Sequence, residues 1–222
     1  MTAQDDAREK QLIDLFNLKR PAGRARHGVD AVLEIEGRML EFELKSVTTG
    51  KESMSTVRDL GRDHIEKWRG QHWIVAFYNK GDLRHCHYLS PEDMAPWIEK
   101  IWQYIKPDFE LSDAVPQLVG IDTLYRLLGN KNVYTLEDAK RLQKKQYTVS
   151  RYAELKDSPE GYSPERMLEI LRDRVGYLMR RGSTLNNPHV NPGYFESFPA
   201  ITEDHASILR GRIKQWLHSK TD

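Results

Sequence analysis

The sequence predicts a mixed α/β (α+β) fold, in which a central mixed sheet flanked by helices is followed by a mainly helical C-terminal part. Three observations predict it. Residues 32–46 read as a β-hairpin, and residues 72–78 form a nearly continuous apolar run of strand length. Beyond Ser90 the chain carries helix-start signals, each followed by apolar residues at helical spacing. The expected organisation is one domain over 1–222, with an α/β core over about 1–106 and a helical region over about 107–222.

The hairpin rests on its pattern. Val32-Leu33-Glu34-Ile35 is β-prone, and Glu36-Gly37-Arg38 makes a turn in which the glycine is free to take positive φ. In the second strand Leu40, Phe42 and Leu44 point one way while Glu41, Glu43 and Lys45 point the other. With the turn near Gly37, antiparallel pairing sets Asp30 opposite Glu43 or Leu44. Met54, Val57, Leu60, Gly61, Ile65 and Trp68 then trace a helical stripe. The apolar run 72–78 reads as a strand buried on both faces, as parallel strands joined by helical crossovers are. Residues 79–82 turn the chain into a final strand over about 83–89.

The remaining elements follow from capping chemistry. Ser90-Pro91-Glu92-Asp93 opens a helix carrying Met94, Trp97, Ile98, Ile101, Trp102 and Ile105. Residues 108–116 read as a connector and 118–128 as a shorter helix. Thr135-Leu136-Glu137-Asp138 is a capping box opening a helix to about Gln146, and Ser163-Pro164 starts another with Met167, Leu168, Leu171, Val175 and Leu178. Thr202 is expected to cap the last helix, whose apolar side holds Ile208, Leu209, Ile213, Trp216 and Leu217. No internal repeat appears, which excludes a solenoid.

Composition bounds the class. At 222 residues the chain is long enough to bury a core without staples, and its single cysteine, Cys86, excludes a disulfide within the chain. No terminal stretch is apolar enough for a signal peptide or a membrane span, so a cytoplasmic protein is expected. Charges nearly balance, 34 basic against 33 acidic, which neither demands nor excludes a nucleic-acid partner. Phosphate-binding glycine loops, dinucleotide fingerprints and nucleophile elbows are absent from the sequence. His85 and His87 share a strand face, but nothing nearby completes a four-ligand zinc set.

The chemical signal lies in the hairpin. Asp30 and Glu43 come within reach of one ion, and like charges gathered this way need a cation. Hard Mg²⁺ takes oxygen ligands, here the two carboxylates and a backbone carbonyl such as that of Leu44, leaving room for water and a phosphate. Lys45 would stabilise developing charge on the phosphate or orient the attacking water. Asp30, twelve intervening residues and Glu43-Leu44-Lys45 resemble the PD-(D/E)xK motif of type II restriction endonucleases and related nucleases. Asp30 matches the first metal-binding aspartate, Glu43 the second acid and Lys45 the lysine. Val29 stands where the motif has proline. The resemblance further implies an acid on an N-terminal helix, for which Glu9 is the candidate. It also implies a restriction-endonuclease-like core, agreeing with the order helix, strand, strand, helix, strand, strand over about ninety residues.

Expected partners follow from that resemblance. The chain is expected to be a Mg²⁺-dependent type II restriction endonuclease acting on double-stranded DNA as a homodimer, with a palindromic site matched to the twofold axis. Arg24, Arg26 and His27 precede Asp30, and with Arg20 are placed to hold phosphates. Residues 180–187, with Arg180, Arg181, Ser183, Thr184, Asn186 and Asn187, read as a loop suited to base contact. The helical region is expected to serve DNA recognition or dimerisation. Two alternatives stay open on sequence alone, namely a junction-resolving, nicking or repair nuclease of the same fold and a DNA-binding protein without cleavage.

Overall fold

Glu36 and Gly37 form the two-residue turn of the first hairpin, both at positive φ, 50° and 72°. That is the pair of conformations a type I′ connection needs, and its twist matches the flanking strands. The computed structural model describes residues 3–21, 28–144 and 146–220. The chain forms two compact units, one made of residues 1–102 with 186–222 and the other of residues 103–185.

The first unit runs α1 (Ala3–Phe16), β1 (Ala31–Ile35), β2 (Arg38–Thr48), β3 (Met54–Ser55), α2 (Arg62–Gly70), β4 (His72–Asn79), β5 (Asp82–Leu89) and the start of α3 (Pro91–Leu118). In the second unit α3 continues and is followed by α4 (Ile121–Leu128), α5 (Leu136–Gln143), α6 (Val149–Glu154) and α7 (Pro164–Ser183). The chain then returns to the first unit with β6 (His189–Val190), a 3₁₀ helix over Pro192–Ser197, β7 (Ala200–Ile201) and α8 (His205–His218).

The main sheet has the order β1-β2-β4-β5-β7, and β2 and β4 are its parallel pair, joined through α2. The sheet is therefore mixed, as expected. One face, with Ala31, Leu33, Phe42, Leu44, Ile74, Ala76 and Cys86, packs on Leu12 and Phe16 of α1 and on Leu209 and Ile213 of α8. Residues alternating with these, including Glu43, Lys45, Trp73 and Val75, take the opposite face. There Trp68 of α2 packs on Trp73 and Trp97 at ring separations of 5.3 and 5.6 Å. Arg210 of α8 donates to the carbonyls of Phe16 and Asn17 at 3.1 and 3.0 Å, capping the C-terminus of α1 with a cation.

Four sequence expectations are corrected. The helix expected from Met54 begins only at Arg62, because Met54 and Ser55 pair with Val190 and His189, while Thr56 and Leu60 donate backbone N–H groups to Pro188 and Asn186. Strand β5 is not the last, since Cys86 and His87 pair with Ile201 and Ala200 of β7. Residues 108–116 are helical, part of α3, with Phe109, Ser112 and Pro116 turned inward and the Ser112 hydroxyl bonded to the Phe109 carbonyl at 2.8 Å. The last helix takes Asp204 rather than Thr202 as its N-cap.

In the second unit, Leu124, Leu128, Tyr134, Tyr152, Tyr162, Met167, Ile170 and Leu171 form one buried cluster. Thr135 and Asp138 make the expected capping box of α5, and Ser163 caps α7. Tyr134 and Tyr162 exchange backbone hydrogen bonds of 2.9 Å. A Cβ on Gly161 would lie 2.0 Å from the Tyr134 carbonyl, so that pairing requires glycine there.

Candidate active site

Asp30 immediately precedes β1. The register that sets Ala31 opposite Phe42 carries Asp30 across from Glu43. Its carboxylate is fixed by backbone, accepting the Leu44 N–H at Oδ2 over 2.9 Å. Asp30 and Glu43 are both buried, with 9% and 4% of their surface exposed. Burial of two carboxylates in one place needs compensating cations. Lys45 Nζ lies 2.6 Å from Glu43 Oε1, and Lys67 Nζ on α2 lies 3.2 Å from Oε2.

These contacts pull the two acids in opposite directions. Burial, then the Glu43 charge, push the Asp30 carboxyl up to about 6 against the opposing pull of Lys45 and the Leu44 N–H. For Glu43 burial works upward too, but Lys45 and Lys67 outweigh it and hold the carboxyl below its ordinary range. Lys45 is the mirror case. Burial disfavours its charge, yet Glu43 and Asp30 raise its pKa and keep it an ammonium. The cluster therefore keeps one carboxylate firmly ionised and a second close to its protonation point.

The donor set fits a hard divalent cation. All the candidate ligands are oxygens, and the buried Glu43 carries one lysine on each oxygen, Lys45 at Oε1 and the more distant Lys67 at Oε2. Leu44, between Glu43 and Lys45 in the sequence, has a backbone carbonyl as a further oxygen of the same strand. Glu9 on α1 pairs with Arg20 at 3.4 Å, and its charge acts on both Asp30 and Lys45. Among the described residues no group of three or more acids, histidines or cysteines is close enough to share an ion. The structure thus brings Asp30, Glu43 and Lys45 together and leaves Glu9 outside that set.

The predicted DNA contacts fall in three places. Arg24, Arg26 and His27 lie outside the described residues. Arg180 and Arg181 occupy the last turn of α7 rather than a loop, with Thr184 as its C-cap, its hydroxyl donating to the Arg181 carbonyl at 3.0 Å. Cations in the last turn interact favourably with the helix C-terminus. Ser183 is buried and its hydroxyl is spent on the Asp108 and Met179 carbonyls. Asn186 and Asn187, in the first unit, brace the segment before α2. The Asn186 carbonyl accepts the Leu60 N–H, and Asn187 Oδ1 accepts the Ser55 hydroxyl at 2.9 Å. His64 is likewise engaged in local structure, its Nδ1 accepting the Gly61 N–H at 3.3 Å.

Lys67 is the site residue that the motif does not contain. Its signal in the sequence is its position, one residue before Trp68 on a helix whose buried residues are Ile65 and Trp68.

No helix among the described residues is long and apolar enough to cross a membrane. A comparison with curated proteins finds no match. A family model described as restriction endonuclease PvuII matches residues 2–112, half of the chain, a span that includes α1, the hairpin, α2, β4 and β5. On the mixed sheet, the buried Asp30–Glu43–Lys45 cluster and that match, the chain belongs to the restriction endonuclease PvuII family and is a type II restriction endonuclease.

Proposed function

We propose that the enzyme hydrolyses phosphodiester bonds of double-stranded DNA at a specific, palindromic sequence, using Mg²⁺ held by Asp30, Glu43 and the Leu44 carbonyl. The observation that carries this reading is the buried pairing of Asp30 with the Glu43-Leu44-Lys45 strand, closed by the Leu44 N–H to Asp30 hydrogen bond. When bound, Mg²⁺ polarises the phosphate and makes water a stronger nucleophile at neutral pH. Lys45, kept charged by its two acidic neighbours, meets the negative charge that grows on the phosphate and orients the attacking water. The water oxygen forms the new P–O bond as the bond to the leaving sugar oxygen breaks. Glu9 acts from α1 as an outer acid of the site, through its charge on Asp30 and Lys45.

Two subunits about a twofold axis would place two such sites on the two strands of a palindrome. Arg24, Arg26 and His27, just before Asp30 in the sequence, would hold phosphates, and Arg180 and Arg181 with Thr184 would supply further phosphate or base contacts. Of the remaining candidates, Ser183 and Asn187 hold their segments in place through side-chain oxygens bonded within the fold, and Asn186 does so through its backbone carbonyl.

Incubation of the purified protein with long unmethylated duplex DNA, with and without Mg²⁺, tests the reading. Discrete Mg²⁺-dependent fragments whose sequenced ends share a short palindrome are expected, and Glu43→Ala or Lys45→Ala abolishes them without unfolding the protein. Undiminished cutting by either variant would refute the residue assignment.

A further inference from the structure

The position of Lys67 is set by tryptophan packing. Glu43 lies beside Trp73 in the β2–β4 register, and neighbouring residues of a parallel pair project from the same face. Trp68 is fully buried against Trp73 and Trp97, which seats the crossover helix α2 over that face. Lys67 is the residue before Trp68, so the same anchor carries its ammonium to Glu43 Oε2, 3.2 Å away, with 20% of the side chain exposed. One buried carboxylate is thereby shared between a lysine on its own strand and a lysine on the helix.

The two contacts are unequal. Lys45 is the closer cation, 2.6 Å from Oε1, whereas Lys67 stands 3.2 Å from Oε2. Ionised, Asp30 and Glu43 are balanced by Lys45 and Lys67. Of the two ammonium groups on Glu43, Lys67 is the more distant and sits at Oε2, so a cation that takes Oε2 competes with the longer contact.

We propose that Lys67 is a positioning residue that holds Glu43 Oε2 in the protein before metal is added and gives that oxygen up to a divalent cation, its ammonium then being released toward the anionic substrate. It sets the occupancy of the site by competing with the cation for one oxygen. The proposal rests on the reading of Asp30 and Glu43 as ligands.

The test is calorimetric titration of the full-length protein with Ca²⁺ alone, without DNA, on wild type and on the variants Lys67→Met, Lys67→Arg and Glu43→Gln, with thermal melts of each. Lys67→Met is expected to bind Ca²⁺ several-fold more tightly, whereas Lys67→Arg, which keeps the charge, does not tighten it. Without Ca²⁺, Lys67→Met lowers the melting temperature when Glu43 is present and not in the Glu43→Gln background, the coupling expected of a direct pair. Should Lys67→Met fail to fold, Lys67→Gln is read instead. Unchanged or weaker Ca²⁺ binding by the folded, uncharged variant overturns the proposal. If Glu43→Gln still binds Ca²⁺ as wild type does, the ligand reading itself fails; if that variant loses binding while Lys67→Met leaves it unaltered, only the role of Lys67 falls.

Discussion

Asp30 is a carboxylate held where its charge is unfavourable. With its pKa moved from 3.8 to about 6, the folded chain binds that proton more tightly than the unfolded chain does. The associated stability is fully present below the unfolded value and is lost as pH rises through about 6. Asp30→Asn keeps an acceptor for the Leu44 N–H and removes the charge. At pH 8 and without divalent cations this variant is expected to melt several degrees higher than wild type, up to about 3 kcal/mol being at stake for a shift of this size. The gain shrinks as pH falls toward 4, and DNA cleavage is lost at every pH. Scanning calorimetry at the two pH values decides it, and a lower melting temperature at pH 8 would show that Asp30 is stabilising as an anion. On the proposed ligand set, the same protonation is expected to make cation affinity decline as pH drops through about 6. This pairing was legible in the sequence to within one residue, Asp30 opposite Glu43 or Leu44, and the two-residue turn at Glu36-Gly37 in the structure fixes the register and sets it against Glu43. Lys67 was not legible, since the distance from a helix to a strand depends on how Trp68, Trp73 and Trp97 pack.

Elements with strong local signals form where the pattern places them, as α5 does behind its Thr135–Asp138 box and β4 along its run of buried residues. Those whose signals conflict do not. Pro107 and Pro116 read as breakers, each lacking an N–H, yet α3 continues through both with Phe109, Ser112 and Pro116 turned inward. Burial along one helix face outweighs the local penalty there. Two-residue strands such as β3, β6 and β7 are too short to show any periodicity. Helix α2 combines local and tertiary control, being short and seated by Ile65 and Trp68. Trp68→Ala is expected to cost about 3–5 kcal/mol of stability, measured from the urea midpoint at unchanged slope. Because the same residue seats Lys67, this variant is also expected to tighten Ca²⁺ binding as Lys67→Met does. A loss under about 1 kcal/mol would mean that other contacts seat the helix.

At the scale of the whole molecule, the first unit is built from both ends of the sequence. Its sheet is extended at β5 by β7, α1 packs on α8, and Trp216 sets its ring 4.6 Å from that of His72 while donating to Glu92 at 2.5 Å. His72, Tyr88 and Trp216 thus meet around one buried histidine whose pKa burial drives down to about 4. A chain ending at residue 199 would keep Asp30, Glu43, Lys45 and Lys67 and the whole second unit. It is nonetheless expected to lose cooperative unfolding of the first unit, because Leu12, Phe16 and Cys86 lose the residues that cover them. Near-ultraviolet circular dichroism through a thermal ramp reads this directly, and a sharp transition at the wild-type temperature would show that the C-terminal return is dispensable.

That return also sets a timetable for synthesis. Asp30, Glu43, Lys45 and Lys67 have all been synthesised by residue 67, but β7 and α8 are made only after some 130 further residues. At about 5–20 residues per second, that interval is roughly 6–30 s. Throughout it, the sheet face that α8 will cover lies open and the site lacks its finished scaffold. In a DNA-cutting enzyme arranged in this way the first unit closes only once residues 200–218 are made, and a polypeptide abandoned midway carries Asp30, Glu43, Lys45 and Lys67 without the strand and helix that complete their unit.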